Sequence, residues 1–295
     1  MNVYIQSILL GIVEGLTEFL PVSSTAHLRI SEAMMHIPLD DAYWKMYTIV
    51  IQAGAILALL LLYLERIVGF LHSFPRGESG DRNWMNHPIS MTFFAFVCTS
   101  IPALALKKWS DRNLSSLTVI AIALLAGGII MWAVDIWASR YEPTTTHVEE
   151  MNLGQAIWIG LCQSLSAIFP GVSRSMSTIA SGQIAGLSRP TALEFSFLLS
   201  IPTMLAATGY DLLKEIHPGK SALAAGAVSA AHVDMTGQRW IVLAIGFVIS
   251  FIVAFGVVEW FLAWVRTHGF AIFAIYRIVV GIVLLIWGSR LIGVQ

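Results

Sequence analysis

Charge is what this sequence has least of. Asp, Glu, Lys and Arg make up 12% of it, against roughly 25% in a soluble domain. With 57% hydrophobic residues and a mean hydropathy of +0.75, an ordinary soluble fold is excluded and a polytopic membrane protein remains. Cysteine is nearly absent: Cys98 and Cys162 both lie in apolar segments, which leaves no disulfide framework and no cysteine metal site. A formal net charge of −1 offers no basic surface for nucleic acid. No basic stretch precedes the first apolar run, and Glu14 and Glu18 interrupt it, so the N-terminal segment does not read as a signal peptide. Lys and Arg are split almost evenly between alternate loops, so the positive-inside rule assigns no orientation.

Long apolar runs are abundant. A helix that crosses a bilayer needs about 20 predominantly apolar residues. Met46–Leu64, Met91–Leu106, Leu114–Val134, Phe195–Tyr210, Trp240–Val258 and Gly269–Trp287 are predicted as crossings. Glu65–Pro88, Arg140–Glu150 and Lys214–Arg239 are polar, breaker-rich linkers by composition, and the small-residue run Ser221–Ala231 in the last is too short for a span. Two further segments break in the middle. Val3–Leu20 is apolar but stops at Pro21, and the arm that follows, Val22–Ile37, is hydroxyl-rich and charged. Leu153–Phe169 repeats the behaviour before Pro170-Gly171. A helix–break–helix hairpin that enters and leaves on one side fits both, because non-helical backbone at depth needs protein or a wet cavity around it.

Sliding the chain by about half its length pairs Gly11 with Gly160, Glu14 with Gln163, Pro21 with Pro170 and Ser24 with Ser173. Each half then reads hairpin, crossing, crossing, crossing. Three crossings is an odd number, so the second half enters from the opposite side. The predicted fold is an all-α integral membrane protein with an inverted-topology repeat, six transmembrane helices and two re-entrant helix hairpins. It forms a single membrane domain over 1–295, with halves 1–138 and 152–291. Such repeats hold their sites near the midplane, between broken helices.

The breaks carry the chemistry. Ionisable groups at such depth are costly and are functional-site candidates. Glu14 and Glu18 are four apart on one helix face. Two buried carboxylates coexist if one is protonated or a cation lies between them; Mg²⁺ or Ca²⁺ suits carboxylate and phosphate oxygens. Ser23, Ser24 and Thr25 open a helix whose N-terminus is an anion site. His27, three residues after Ser24, is placed to take its proton and make it a nucleophile. Ser173, Arg174, Ser175 and Thr178 follow the second break, and the Arg174 fork suits phosphate. A glutamate could instead serve as counter-charge to Arg174 without any ligand. Arg277 reads as a snorkelling residue or a carboxylate partner, and Asp135 and Glu194 as helix-end charges.

EGLTEFLPVSSTAH and PGVSRS, with IVIQAGAIL, EFSFLLSIP and FAIYR, resemble the undecaprenyl-diphosphate phosphatase family, the bacitracin-resistance type. The resemblance runs over essentially the whole chain. It implies hydrolysis of a C55 polyprenyl diphosphate to the lipid monophosphate and phosphate. That recycles the carrier for peptidoglycan synthesis, hence cell wall biogenesis and cell shape, and confers bacitracin resistance. It implies a divalent cation, a place in the bacterial cytoplasmic membrane and a site open to its outer face, and it leaves a homodimer open. By motif, Glu14 and Glu18 are the acidic, metal-holding pair, Ser24 the nucleophile and His27 its partner. Ser173 and Arg174 bind phosphate, supported by Ser23, Thr25, Ser175 and Thr178. Ala26 and Met176 stand where the family commonly has glycine; a bulky Met176 either narrows the phosphate site or points at lipid. An inverted-repeat lipid-phosphate transporter is the alternative, but transport needs no nucleophile and base.

Overall fold

The computed structural model describes residues 1–38, 41–77, 84–107, 116–216 and 235–291. Its helices are α1 Val3–Thr17, α2 Ser24–Met34, α3 Ala42–Leu62, α4 Leu64–Ser73, α5 Pro88–Ala105 and α6 Leu117–Ala138 in the first half. After a 3-10 turn at Val148–Glu150 come α7 Leu153–Ile168, α8 Arg174–Ile184, α9 Arg189–Ile216, α10 Gly237–Val265 and α11 Ala271–Leu291. Six of them, α3, α5, α6, α9, α10 and α11, are long and apolar enough to cross a membrane. Among the described residues the one β feature is an isolated bridge between Thr145 and Leu187.

Packing is reciprocal between the halves. α1 lies along α10, and α7 lies along α5 in the same way; α6 pairs with its counterpart α11. Glycine makes both close approaches: a Cβ on Gly11 would strike the Gly246 carbonyl, and one on Gly160 would strike that of Ala95. The two broken segments are helical hairpins closed at their bases. Gln6 donates to Met35 O at 3.2 Å in the first, and Gln155 to Ala185 O at 2.9 Å in the second. Their bases face opposite ends of the bundle. The first adjoins the start of α3, where Tyr43 donates to Arg239 O; the second adjoins the start of α9, where Glu194 meets Arg66 beyond the end of α3.

Between Pro and helix start the repeat slips by one residue. Pro21-Val22-Ser23 aligns with Pro170-Gly171-Val172-Ser173, because Gly171, at φ 97°, is an extra residue in the second turn. The counterpart of Ser173 is therefore Ser23, not Ser24 as the sequence offset implied; both precede a helix and both have φ above +70°. Ser24 corresponds instead to Arg174. Two helix starts entered through a positive-φ serine thus present a hydroxyl on one side and a guanidinium on the other.

Composition misread one linker. Within Glu65–Pro88, α4 is helical, and its Arg66 bridges Glu149 at 2.6 Å and Glu194 at 2.9 Å. The run Ser221–Ala231 lies outside the described residues.

Candidate active site

The two breaks meet through one carboxylate. Glu18 follows the last turn of α1, with its backbone N–H on Glu14 O. Its neighbour Phe19 is buried edge-to-face on Phe197, centroids 5.6 Å apart, which fixes the break against the core. Glu18 Oε2 accepts from Ser24 Oγ at 2.5 Å, and Oε1 accepts from Arg174 Nη2 at 3.0 Å. A guanidinium carries five N–H donors, so the bond to Glu18 leaves others for an anion. In front of these groups lies a cavity of about 210 Å³, walled by Glu18, Ser23, Ser24, Thr25, Ser173 and Arg174. A second lobe of about 120 Å³ shares Ser24 and Thr25 and runs past Glu14 and Glu32. α2 and α8 both begin at the cavity, so two sets of unpaired N–H groups and two positive dipole ends face it. The left-handed Ser23 and Ser173 cost about 1–3 kcal/mol each, a strain typical of functional turns.

Glu14 is the anomaly. It is 1% exposed, and neither carboxylate oxygen meets a donor. Its repeat counterpart Gln163 does have partners, donating through Nε2 at 3.1 Å to both Thr99 and Thr203, although its Oε1 is likewise unmet. An unpartnered buried carboxylate is expensive unless a proton or a cation joins it.

Several sequence-based roles change. His27 does not reach Ser24: its Nδ1 bonds Ser23 O and its Nε2 bonds Tyr276 Oη, each at 2.7 Å. Ser24 is the first residue of its helix and its hydroxyl turns back across the break to Glu18, so helical spacing from His27 did not decide its partner. His27 instead holds the strained Ser23 carbonyl. Replacing it with Gln should lower the rate by about 10²-fold, the scale of a 1 Å misplacement, yet leave the acidic limb of the pH–rate profile where it was; a displaced limb would return His27 to the role of base. Ser175 and Thr178 do not line the cavity. Ser175 donates to Leu20 O at 3.0 Å, tying one break to the other, and Thr178 shares a 2.6 Å bond with Ser196. Met176 does not line the phosphate cavity: it is buried on the wall of an apolar cleft beside Gly127, so it does not narrow the site.

Arg277 neither snorkels nor pairs with a carboxylate. Fully buried, it donates to Pro21 O in the first break, to Gly171 O and Val172 O in the second, and to Ala123 O in α6, at 2.9–3.2 Å. Sequence reasoning missed it, together with Gln52, which lines both cavity lobes. The available signal for Gln52 was a lone carboxamide inside a charge-free span.

A hydroxyl bonded to a carboxylate, a guanidinium and two helix N-termini, all enclosed by apolar helices, define the class: a membrane-embedded site built for phosphoryl groups. Residues 7–283 match the family described as Bacitracin resistance protein BacA, and the chain belongs to that family. It is 56% identical over 291 residues to an undecaprenyl-diphosphatase of Koribacter versatilis, covering 98% of this chain and 100% of the relative. An undecaprenyl-diphosphatase of Caldanaerobacter subterraneus is 40% identical over 286 residues, covering 97% of this chain and 96% of the relative. The undecaprenyl-diphosphatase 1 of Frankia alni is 40% identical over 283 residues, covering 95% and 94% respectively.

Proposed function

We propose that this protein is an integral membrane phosphatase that hydrolyses undecaprenyl diphosphate to undecaprenyl phosphate and inorganic phosphate. It thereby returns the lipid carrier to peptidoglycan synthesis and confers bacitracin resistance. The observation that carries this reading is the Glu18 carboxylate joining Ser24 to Arg174 at the mouth of two helices. Glu18 takes the Ser24 proton as Ser24 Oγ attacks the terminal phosphorus. The bond from that phosphorus to the bridging oxygen breaks, and undecaprenyl phosphate leaves with the electron pair. The proton passes from Glu18 to the departing phosphate. The freed carboxylate then takes a proton from the water that attacks the phosphoserine and hands it to the leaving Ser24 Oγ, which releases inorganic phosphate and restores Ser24. Arg174 and the N–H groups of α2 and α8 neutralise the oxygens throughout, the main demand of phosphoryl transfer. Direct attack by water, with Glu18 as base and Ser24 as an orienting donor, uses the same groups.

Among the described residues no three His, Cys, Asp or Glu side chains form a ready metal cage. The donor set nevertheless fits Mg²⁺ or Ca²⁺. Glu14 has two oxygens without partners, Glu18 is its neighbour, and such ions commonly complete their shell with substrate phosphate and water. The ion would supply charge neutralisation at the phosphate. In our reading both hairpins are re-entrant, the protein resides in the bacterial cytoplasmic membrane, and the cavity, which runs toward the base of the first hairpin, opens on the outer face.

Phosphate release by the detergent-solubilised protein is the test. Chelation should abolish it and added Mg²⁺ or Ca²⁺ restore it. Glu14→Gln should raise the metal concentration for half-activation by about tenfold or more, the lower scale for disturbing a metal's supporting shell. Movement of lipid diphosphate across vesicles without any release of phosphate would favour the transporter instead.

A further inference from the structure

At the end of the bundle where the second hairpin has its base, away from the catalytic cavity, three chain corners enclose a separate cavity of about 390 Å³. The corners are the end of α6, the α8–α9 turn and the α10–α11 turn. Nothing in the phosphatase mechanism uses it. Its wall carries Arg189 and Arg266, with Glu142 at its edge. Arg189 is preset: Asp135, 4% exposed, accepts from its Nε at 2.7 Å, from Gln183 Nε2 at 3.2 Å and from the Phe270 N–H at 2.9 Å. That arrangement, with a longer bond from Arg189 Nη2 to Asp135 O at 3.4 Å, ties α6, α8, α9 and the start of α11 into one frame and leaves Nη1 without a partner among the described residues. Arg266 is exposed and meets no carboxylate among the described residues. Gln183, 3% exposed and on the same wall, has an Oε1 that no donor reaches.

Position adds to chemistry. The cavity lies where four membrane-crossing helices begin or end, and exposed Trp137 and Tyr141 stand at its rim, as aromatic side chains do at a headgroup layer. Basic pockets between transmembrane helices at that level hold lipid headgroups. This one is not simply basic: Glu142 supplies an opposite charge and Gln183 an unmet acceptor. We infer that it binds a membrane phospholipid whose headgroup joins a phosphate to an amine, with the phosphate on Arg189 and Arg266 and the ammonium toward Glu142 and Gln183. A bound lipid would clamp the turn on which α11, and with it Arg277, begins.

Native mass spectrometry of the full chain in detergent, titrated with phosphatidylethanolamine or phosphatidylglycerol, tests the site. Wild type should retain the ethanolamine lipid preferentially. Arg266→Gln should weaken retention of both lipids about fivefold, the scale of one basic residue at a lipid surface. Glu142→Gln, also a surface change, should weaken only the ethanolamine lipid. Competition by soluble phosphoethanolamine would assign recognition to the headgroup alone; retention without competition would assign it to the bilayer-anchored lipid. Equal retention of the two lipids by wild type, or retention unchanged in both variants, would overturn the inference.

Discussion

Glu18→Gln should stop phosphate release, by about 10³-fold, in a protein that folds normally. The magnitude is that of a general base. The amide can still offer Arg174 its oxygen, so the 3.0 Å contact between the hairpins has a substitute. It has no basic atom to receive the proton that Ser24 now directs at Oε2 over 2.5 Å. The loss is therefore chemical, and the thermal midpoint should move little. Single-turnover phosphate release and a thermal unfolding curve on the same preparation separate the two. Ser24→Ala sharpens the result: if serine is the nucleophile its activity falls as far as that of Glu18→Gln, and if water attacks it is only weakened. A Glu18→Gln enzyme within tenfold of wild type would remove the carboxylate from the centre of the mechanism.

Arg277→Met should lose both activity and stability. The side chain lies in the interior, yet its partners are four backbone carbonyls, two of them in the extra-residue turn of the second hairpin and one at the proline of the first. Apart from Ala123 O, which lies within helix α6, these three carbonyls belong to the non-helical backbone that each break creates, and inside a membrane protein nothing else replaces water for them. Removing the guanidinium leaves each without a donor, at about 1–3 kcal/mol apiece. Even after relaxation a net loss of about 3–5 kcal/mol is expected, the scale for breaking a buried charged contact. The breaks then lose the spacing that brings Ser24 and Arg174 to one carboxylate. Thermal unfolding, limited proteolysis and phosphate release should all respond, with Arg277→Lys intermediate because an ammonium cannot span all four oxygens. Gly127→Ala approaches the same clamp from outside, since its Cβ would collide with the Arg277 guanidinium; it should reproduce the defect in milder form. An Arg277→Met protein with a wild-type midpoint and wild-type turnover would show that the hairpins hold each other without it.

Much of this protein was legible as sequence. The six long apolar helices follow from hydropathy, because a bilayer-length run of apolar side chains has few other soluble or buried fates. Pro21 and Pro170 marked both breaks, since a proline past the first turn of a helix removes one of its hydrogen bonds and here polar, hydroxyl-rich residues follow it. Glu14, Glu18, Ser24 and Arg174 were conspicuous because polar groups in apolar surroundings are improbable without a task.

Partnership was not legible. Which group accepts the Ser24 hydroxyl depends on how the chain turns between Pro21 and α2, so a histidine at helical spacing lost to a carboxylate across the break. Arg277 looked like an interfacial charge, and its true role required the breaks of both halves to be present in space at once. The one-residue slip at Gly171 was hidden for the same reason: identity across the repeat favours matching letters, while backbone dihedrals match positions. Sequence alone determined the spans, the breaks and the inventory of reactive groups, because these follow from local composition and transfer free energy. Only the tertiary structure decided which of those groups touch, because contact between two halves of a chain is set by packing that no local pattern encodes.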